Sequence, residues 1–231
     1  MIERFIEYIS SERRYSELTV RNYRRDIENF TTWFCQQRGL EAFDATAVTA
    51  EDVSDWMIFR LDTAKLGAST MNRELSSIKS LFRFLRKKGV VQGDILKRIG
   101  SLKAPKVLPV FVPQSRMEEI LEHTKEQSYE RDFHSQRDSI IVSLLYGCGI
   151  RLAELQGIHF GDFSADMTTL LVRGKGDKHR QIPLLPELVE RVEAYKNRLE
   201  ELGFSTSIDS PLILSKLGKP ISRTAIQKVV E

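Results

Sequence analysis

The first half of the chain repeats apolar residues with the period of an amphipathic α-helix. Four stretches show this pattern, and no stretch of period two competes with them. Thr19 is a candidate cap for the second stretch, and Thr49 to Asp52 resembles a capping box before the third. The first half is therefore predicted to be all-α, with stripes formed by Ile2, Phe5, Ile6 and Ile9; by Tyr23, Ile27, Phe30 and Phe34; by Val53, Trp56 and Met57; and by Leu75, Ile78, Phe82 and Leu85, the last on a helix from about Thr70 to Lys88.

The second half mixes helical and strand patterns. Residues 169–172 and 181–184 are short apolar-rich runs on either side of the turn-forming residues 174–178, which is typical of a β-hairpin. A short helix is predicted to open at Arg151, after the break at Gly147-Cys148-Gly149. Longer helices are predicted over residues 114–126, 136–147 and about 186–202. The predicted fold class is mainly α with a small β-sheet.

Helix breakers separate the two halves. They are Gly89, Gly93, Gly100, Pro105, Pro109 and Pro113, and their density marks a domain boundary. We predict a helical domain over 1–88, a linker over 89–112 and a second domain over 113–231. The lysines and arginines of this linker suit a soluble tether or a segment that follows a phosphate backbone equally well.

Composition limits the class of protein. With 41% hydrophobic and 29% charged residues, the 231-residue chain can build a core of one or two domains. The net charge of +3 divides into +5 for residues 1–110 and −2 for residues 111–231, so the basic first half is compatible with a nucleic-acid partner. Cys35 and Cys148 are far apart, as in a reduced, cytoplasmic protein, and no signal peptide or apolar run long enough to span a membrane is recognised.

A basic strip on the fourth predicted helix is the first candidate binding surface. Lys79, Arg83 and Arg86 fall on one strip beside the apolar stripe, and Asn72 and Ser76 extend it. Between Lys79 and Lys88 there are five basic residues and no acidic one. The second helix adds Arg21, Arg24 and Arg25. The strip suits a row of DNA phosphates, although an ordinary basic surface helix would show the same pattern.

Two motifs in the second half carry candidate chemistry. Arg151 follows a Gly-x-Gly break, from which its guanidinium can point outward and grip a phosphate with two donors, and Glu154 can orient it. Lys175 lies between two glycines at the hairpin tip, where it can reach a phosphate or donate a proton. The alternatives are an ordinary ion pair at a helix start and a solvated turn lysine.

Metal and nucleotide chemistry find no support in the sequence. The four histidines and two cysteines do not have the spacing of a metal site. No Gly-x-x-x-x-Gly-Lys-Ser/Thr pattern for a phosphate-binding loop occurs. We therefore expect no metal and no cofactor.

Taken together, the motifs resemble the tyrosine recombinases, especially the Xer type and the related phage integrases. LLYGCGIRLAELQGI (144–158) is similar to the first catalytic box of that family, and VRGKGDKHRQIPL (172–184) is similar to its lysine hairpin. TVRNYRRDIENF (19–30) is similar to part of its helical core-binding domain. The resemblance extends over essentially the whole chain and implies a four-helix, SAM-like core-binding domain followed by an α+β catalytic domain that is incomplete at its C-terminal end.

The resemblance also implies an activity and a set of residue roles. Family members bind double-stranded DNA, and a tyrosine attacks the backbone to form a 3′-phosphotyrosyl intermediate during site-specific recombination. By position, Arg151 matches a catalytic arginine, Lys175 matches the general acid, and Glu154 matches the acidic residue that supports the arginine. A full-length enzyme is expected to act as a tetramer on two duplexes. The candidate DNA-binding residues are Arg21, Arg24, Arg25, Asn72, Arg73, Lys79, Arg83, Arg86, Arg173 and Lys178.

One departure from the family changes the expectation for this polypeptide. The family's His-x-x-Arg pair, a later His or Trp, and the nucleophilic tyrosine are expected C-terminal to residue 231. The six tyrosines present lie in the wrong places for the nucleophile. We therefore expect a DNA-binding fragment, monomeric by itself, that cannot cleave DNA. A non-catalytic DNA-binding regulator and a helical protein–protein adaptor are the alternatives, and the adaptor would not bind duplex DNA.

Overall fold

The protein divides into two compact units. The computed structural model describes residues 1–105, 112–128, 132–174, 176 and 178–230. The first unit spans Met1–Leu108 and the second spans Pro109–Glu231.

Four α-helices build the described part of the first unit. They are α1 (Ile2–Glu7), α2 (Glu17–Arg38), α3 (Ala50–Asp62) and α4 (Ala68–Lys87). The Thr49 hydroxyl and the Asp52 carboxylate form a reciprocal capping box at the start of α3, as predicted. The predicted cap of α2 was wrong, because that helix begins three residues earlier and the Ser16 side chain accepts a hydrogen bond from the Thr19 amide.

Large apolar side chains from α2, α3 and α4 form the core of this unit. Phe30, Trp56 and Ile78 are completely buried. Phe30 and Trp56 meet edge to face with their ring centroids 5.4 Å apart. Burying a side chain of this kind stabilises the folded state by about 1.5–3 kcal/mol. The apolar residues that recur with helical periodicity are therefore the ones whose packing holds the unit together.

The chain after α4 is packed onto the first unit. Val91 and Leu96 are 8% and 2% exposed and belong to the same core as α4. Residues 89–102, within the predicted linker, therefore run along the unit and contribute to its packing. The bounds 1–88, 89–112 and 113–231 stay a prediction.

The second unit is also mainly helical in its described part. Its helices are α5 (Gln114–Ser128), α6 (Phe133–Val142), α7 (Leu152–Gln156), α8 (Pro186–Glu201) and α9 (Arg223–Val230). The strands β1 (Thr169–Arg173) and β2 (His179–Pro183) form an antiparallel hairpin in which Thr169 faces Pro183 and Arg173 faces His179. The predicted hairpin and the long helix after it are thus confirmed, as is the fold class.

The hairpin packs by one face against the core of the second unit. Leu170 and Val172 of β1 are buried, as are Val192, Tyr195 and Leu199 of α8. Every second side chain along β1 is buried. This alternation fixes the orientation of the side chains next to the turn of the hairpin. None of the helices among the described residues combines the length and apolar character that crossing a membrane requires.

Gly161 provides a test of packing in the second unit. Its amide donates a 2.9 Å hydrogen bond to the Ile208 carbonyl, and an added Cβ would lie 2.7 Å from that oxygen. We expect Gly161→Ala to destabilise this unit by about 1–3 kcal/mol, as measured by urea denaturation. Gly147→Ala is the matched control, since a Cβ there meets nothing within 4 Å. Equal stability of the two variants would contradict the observed contact.

Candidate functional site

Arg151 projects from a bend before α7. Gly149 takes a positive φ of 61°, which favours glycine, and Ile150 is buried directly after it. Arg151 is the extended cap residue of α7 and its side chain is 78% exposed. The anchored backbone and the exposed guanidinium leave this cation available to an external ligand.

Glu154 is the group that holds Arg151. Its side chain is only 7% exposed and accepts hydrogen bonds from the Arg151 amide and guanidinium, both at 3.0 Å. Arg180 of β2 donates two further hydrogen bonds to the same carboxylate, at 3.1 and 2.8 Å. One buried carboxylate therefore joins the start of α7 to the hairpin.

This arrangement keeps Glu154 ionised. The hydrogen bonds from Arg180 are the largest influence, and together with those from Arg151 they outweigh the opposing effect of burial. They lower the pKa of Glu154 from 4.5 to about 2. The two arginines consequently share a negative charge at every pH near neutrality.

The hairpin approaches Glu154 closely at Gly174. A Cβ at Gly174 would lie 3.3 Å from the Lys178 carbonyl oxygen and 3.5 Å from a Glu154 carboxylate oxygen. The Gly174 amide also donates a 2.7 Å hydrogen bond to that Lys178 carbonyl. The absence of a side chain at Gly174 thus lets the end of the hairpin close over the Glu154–Arg180 pair.

An open cationic depression lies between α7 and the hairpin. It is lined by Arg151, Ala153, Glu154, Arg173, Gly174, Lys178, His179 and Arg180. Arg173 donates a 2.9 Å hydrogen bond to the buried carboxylate of Asp162. Lys178 is exposed. The predicted general acid Lys175 lies outside the described residues. Because arginine guanidinium groups match the oxygens of a phosphate, the depression is suited to an anionic ligand.

Arg180 is the residue that sequence reasoning missed. The sequence analysis gave it no role, although it lies within the hairpin motif 172–184. The available signal was its place on the returning strand, which a hairpin brings back beside β1. The sequence does not show that Glu154 packs against that strand. The Glu154–Arg180 ion pair, between residues 26 positions apart in the chain, therefore could not be predicted.

A His-x-x-Arg sequence was also overlooked, at His134 to Arg137 in α6. The Arg137 guanidinium pairs with Asp138 at 2.7 Å and lies 5.6 Å from the centre of the Phe133 ring. Neither His134 nor Arg137 lines the Arg151 depression. The structure therefore gives this pair a packing role within the second unit.

Most of the predicted strip on α4 contacts the chain that follows that helix. The Asn72 side chain exchanges two hydrogen bonds with the Leu102 backbone, at 2.9 and 2.7 Å. Lys79 donates to the Ile99 carbonyl, and Arg86 lies 3.1 Å from the Asp94 carboxylate. Arg83 is exposed. These residues fall on one strip, as predicted, but three of them bind residues 94–102.

Three other predicted DNA-binding residues have carboxylate partners. Arg73 donates to Asp26, which is completely buried and also accepts a 2.8 Å hydrogen bond from Ser77. Arg24 forms a two-point pair with Glu3, at 2.5 and 2.8 Å. Arg25 is 60% exposed and lies 3.8 Å from Asp26, and Arg21 is exposed. Arg73 thus contributes to the packing of α2 against α4.

Comparisons with known families agree with this arrangement. Residues 2–89 match the model of the phage integrase N-terminal SAM-like domain, and residues 111–231 match that of the phage integrase family. The chain belongs to the phage integrase family. Its similarity to tyrosine recombinases confirms the resemblance drawn from the two motifs.

Curated relatives and solved structures show the same likeness. Tyrosine recombinase XerC of Lactobacillus delbrueckii subsp. bulgaricus is 30% identical over 99% of this chain and 75% of its own length. XerC of Escherichia coli O139:H28 is 30% identical over 98% of this chain and 72% of its own. A lambda integrase dimer bound to a COC′ core site has a TM-score of 0.66 at 18% identity, covering 99% of this chain and 74% of that one. XerH recombinase bound to palindromic difH substrate has a TM-score of 0.67 at 17% identity, covering 94% and 64%. The fold of this chain is that of these recombinases.

The lowered pKa of Glu154 predicts a pH dependence of stability. A carboxyl group whose pKa is lower in the folded protein stabilises it above pH 4.5, and this contribution is lost as the pH falls from 4.5 through about 2. We expect Glu154→Gln to lower stability at pH 7 by about 2 kcal/mol and to show a shallower loss of stability between pH 4.5 and 2. Thermal unfolding followed by circular dichroism measures both.

Glu193→Gln, an exposed substitution on α8, is the control for this measurement and should follow the unsubstituted protein. If Glu154→Gln and the control had the same pH profile, the carboxylate would not hold the two arginines in solution.

Proposed function

We propose that this chain binds duplex DNA and belongs to a site-specific tyrosine recombinase that cleaves and rejoins strands through a 3′-phosphotyrosyl intermediate. The observation that carries the proposal is the exposed Arg151, held by the buried Glu154 in a chain similar to XerC over nearly its whole length. The XerC relatives are tyrosine recombinases, and the lambda integrase and XerH structures of the same fold are bound to DNA sites.

Arg151 is proposed to stabilise charge on the phosphate under attack. Negative charge builds on the non-bridging oxygens during phosphoryl transfer, and a fixed cation beside them typically contributes about 10²–10³-fold to the rate. Glu154 fixes the Arg151 guanidinium before any ligand arrives. Little reorganisation is then required when the phosphate binds.

Lys175 is proposed as the general acid for the leaving 5′-oxygen. Proton donation of this kind typically contributes about 10²–10⁴-fold. The support is its match to the lysine hairpin of the family. On either side of it the hairpin is closed, because Arg173 faces His179 and the Gly174 amide donates to the Lys178 carbonyl. Arg173 and Lys178 are proposed as phosphate contacts beside it.

We propose that the 231-residue polypeptide binds DNA without cleaving it. Tyr195 is fully buried, its hydroxyl accepts a hydrogen bond from the Leu214 amide, and burial raises its pKa to about 12. Tyr146 is exposed but does not line the Arg151 depression, and Tyr129 lies outside the described residues. Tyr8, Tyr15 and Tyr23 pack against the core of the first unit.

The complete enzyme is proposed to act as a tetramer on two duplexes, and the 231-residue polypeptide is proposed to be monomeric. A lambda integrase tetramer bound to a Holliday junction shares the fold, with a TM-score of 0.65 at 18% identity. Four copies on two duplexes would give each exchanged strand its own Arg151.

Salt dependence tests duplex binding. We expect the dissociation constant of the 231-residue chain for a fluorescent duplex to rise steeply with salt, by roughly 0.9 log units per log unit of salt for each phosphate neutralised. Fluorescence anisotropy between about 50 and 200 mM salt measures this slope. No duplex binding at low salt would favour the adaptor alternative and overturn the proposal.

Covalent trapping tests the cleavage part of the proposal separately. Incubation of the 231-residue polypeptide with a nicked suicide duplex should give no protein–DNA adduct in a denaturing gel, because no described tyrosine lines the Arg151 depression. An adduct would contradict this, and mapping the modified tyrosine would then identify the nucleophile.

A further inference from the structure

The strip on α4 that was predicted to bind DNA also binds the chain that follows this helix. After α4 the chain turns back and runs along the helix in the opposite direction. Asp94 meets Arg86, the Ile99 carbonyl meets Lys79, and Leu102 meets Asn72. Successive strip residues are thus bound by successive parts of residues 94–102. Arg83 is the member of the strip that has no hydrogen-bond or ion-pair acceptor among the described residues.

Arg83 lies between two depressions, each bordered by a different segment. The first has a volume of about 390 Å³ and is lined by Arg13, Tyr15 and Ser80 as well as Arg83. Arg13 follows the π-helical turn Tyr8–Glu12, so this wall comes from the chain between α1 and α2. Arg83 is exposed, and both neighbouring walls bring further donors towards it.

The second depression has a volume of about 230 Å³ and is lined by Lys97, Gly93 and Asp94 as well as Arg83. Its wall is the segment that runs back along α4, which Val91 and Leu96 anchor in the core. The docking of this segment therefore brings Lys97 into the second depression, beside Arg83.

The charge of the two depressions is strongly unbalanced. Their linings include the cations Arg13, Lys79, Arg83, Arg86, Lys87 and Lys97, and the sole carboxylate lining either of them within the described chain is Asp94. That carboxylate is paired with Arg86 at 3.1 Å. Arg13 and Lys97 are exposed, and their side chains have no hydrogen-bond or ion-pair acceptor among the described residues. Such a surface attracts phosphates and not a neutral ligand.

We propose that these depressions are two phosphate cradles, which share Arg83 and take two phosphodiester groups of a DNA duplex. Arg13 and Lys97, which lie outside the predicted strip, are then DNA-binding residues. Asn72 acts instead by holding residues 94–102 in place. This inference rests on the proposed duplex binding and specifies which side chains of the first unit perform it.

Neutral substitutions of the cradle residues test the assignment. We expect Arg13→Gln and Lys97→Gln each to lower the slope of log Kd against log salt by about 0.9, and the double variant to lower it by about 1.8. Arg98→Gln is the matched control, because Arg98 is the exposed neighbour of Lys97 but lines a different depression beside α3. The control removes the same charge and should leave the slope unchanged.

Asn72→Ala separates the structural role from the binding role. It removes both hydrogen bonds to Leu102 and should lower the thermal midpoint without changing the salt slope at a temperature where the variant is folded. A slope lowered as much as by Lys97→Gln would contradict the structural assignment of Asn72.

The outcomes distinguish this inference from the function on which it rests. The unsubstituted chain can bind duplex while Arg13→Gln and Lys97→Gln both give the same salt slope as Arg98→Gln. In that case the assignment of the phosphate cradles is wrong and the proposed function stands. If the unsubstituted chain does not bind duplex at any salt concentration, both are overturned.

Discussion

The buried carboxylate of Glu154 is the interaction on which the cationic surface of the second unit depends. Arg151 and Arg180 approach the same point from α7 and β2, and they would repel each other without a negative charge between them. The carboxylate remains ionised because the hydrogen bonds it accepts lower its pKa to about 2. It therefore fixes two cations and joins two elements at once, and Gly174 leaves the space in which this happens.

The first unit uses charged side chains in a comparable way. The buried Asp26 holds Arg73, and the polar strip of α4 holds the chain that returns along it. A basic residue on a helix is thus not by itself a DNA contact, since Arg73 is bound to a carboxylate and Lys79 to a backbone carbonyl of the same unit. Arg13, Arg83 and Lys97 remain exposed, and their side chains have no hydrogen-bond or ion-pair acceptor among the described residues.

Local patterns predicted most of the fold, because helical periodicity, the Thr49 capping box and the turn residues of the hairpin act over short distances. The Arg151–Glu154 contact was predictable for the same reason, at a separation of three residues. The Glu154–Arg180 pair and the docking of residues 94–102 depend on tertiary packing between distant segments, which no local pattern records. The α2 cap was misplaced because Ser16 and Thr19 are both good capping residues.

Arginine side-chain NMR of the 231-residue chain during titration with a duplex tests the central claim most directly. If Glu154 presents Arg151 to a DNA phosphate, the Arg151 Nε resonance should shift on binding, and the Arg180 Nε resonance should change far less because its carboxylate partner is retained. In Glu154→Gln, the two resonances should become similar in their response. An Arg151 resonance that stays unchanged at saturating duplex would contradict the account.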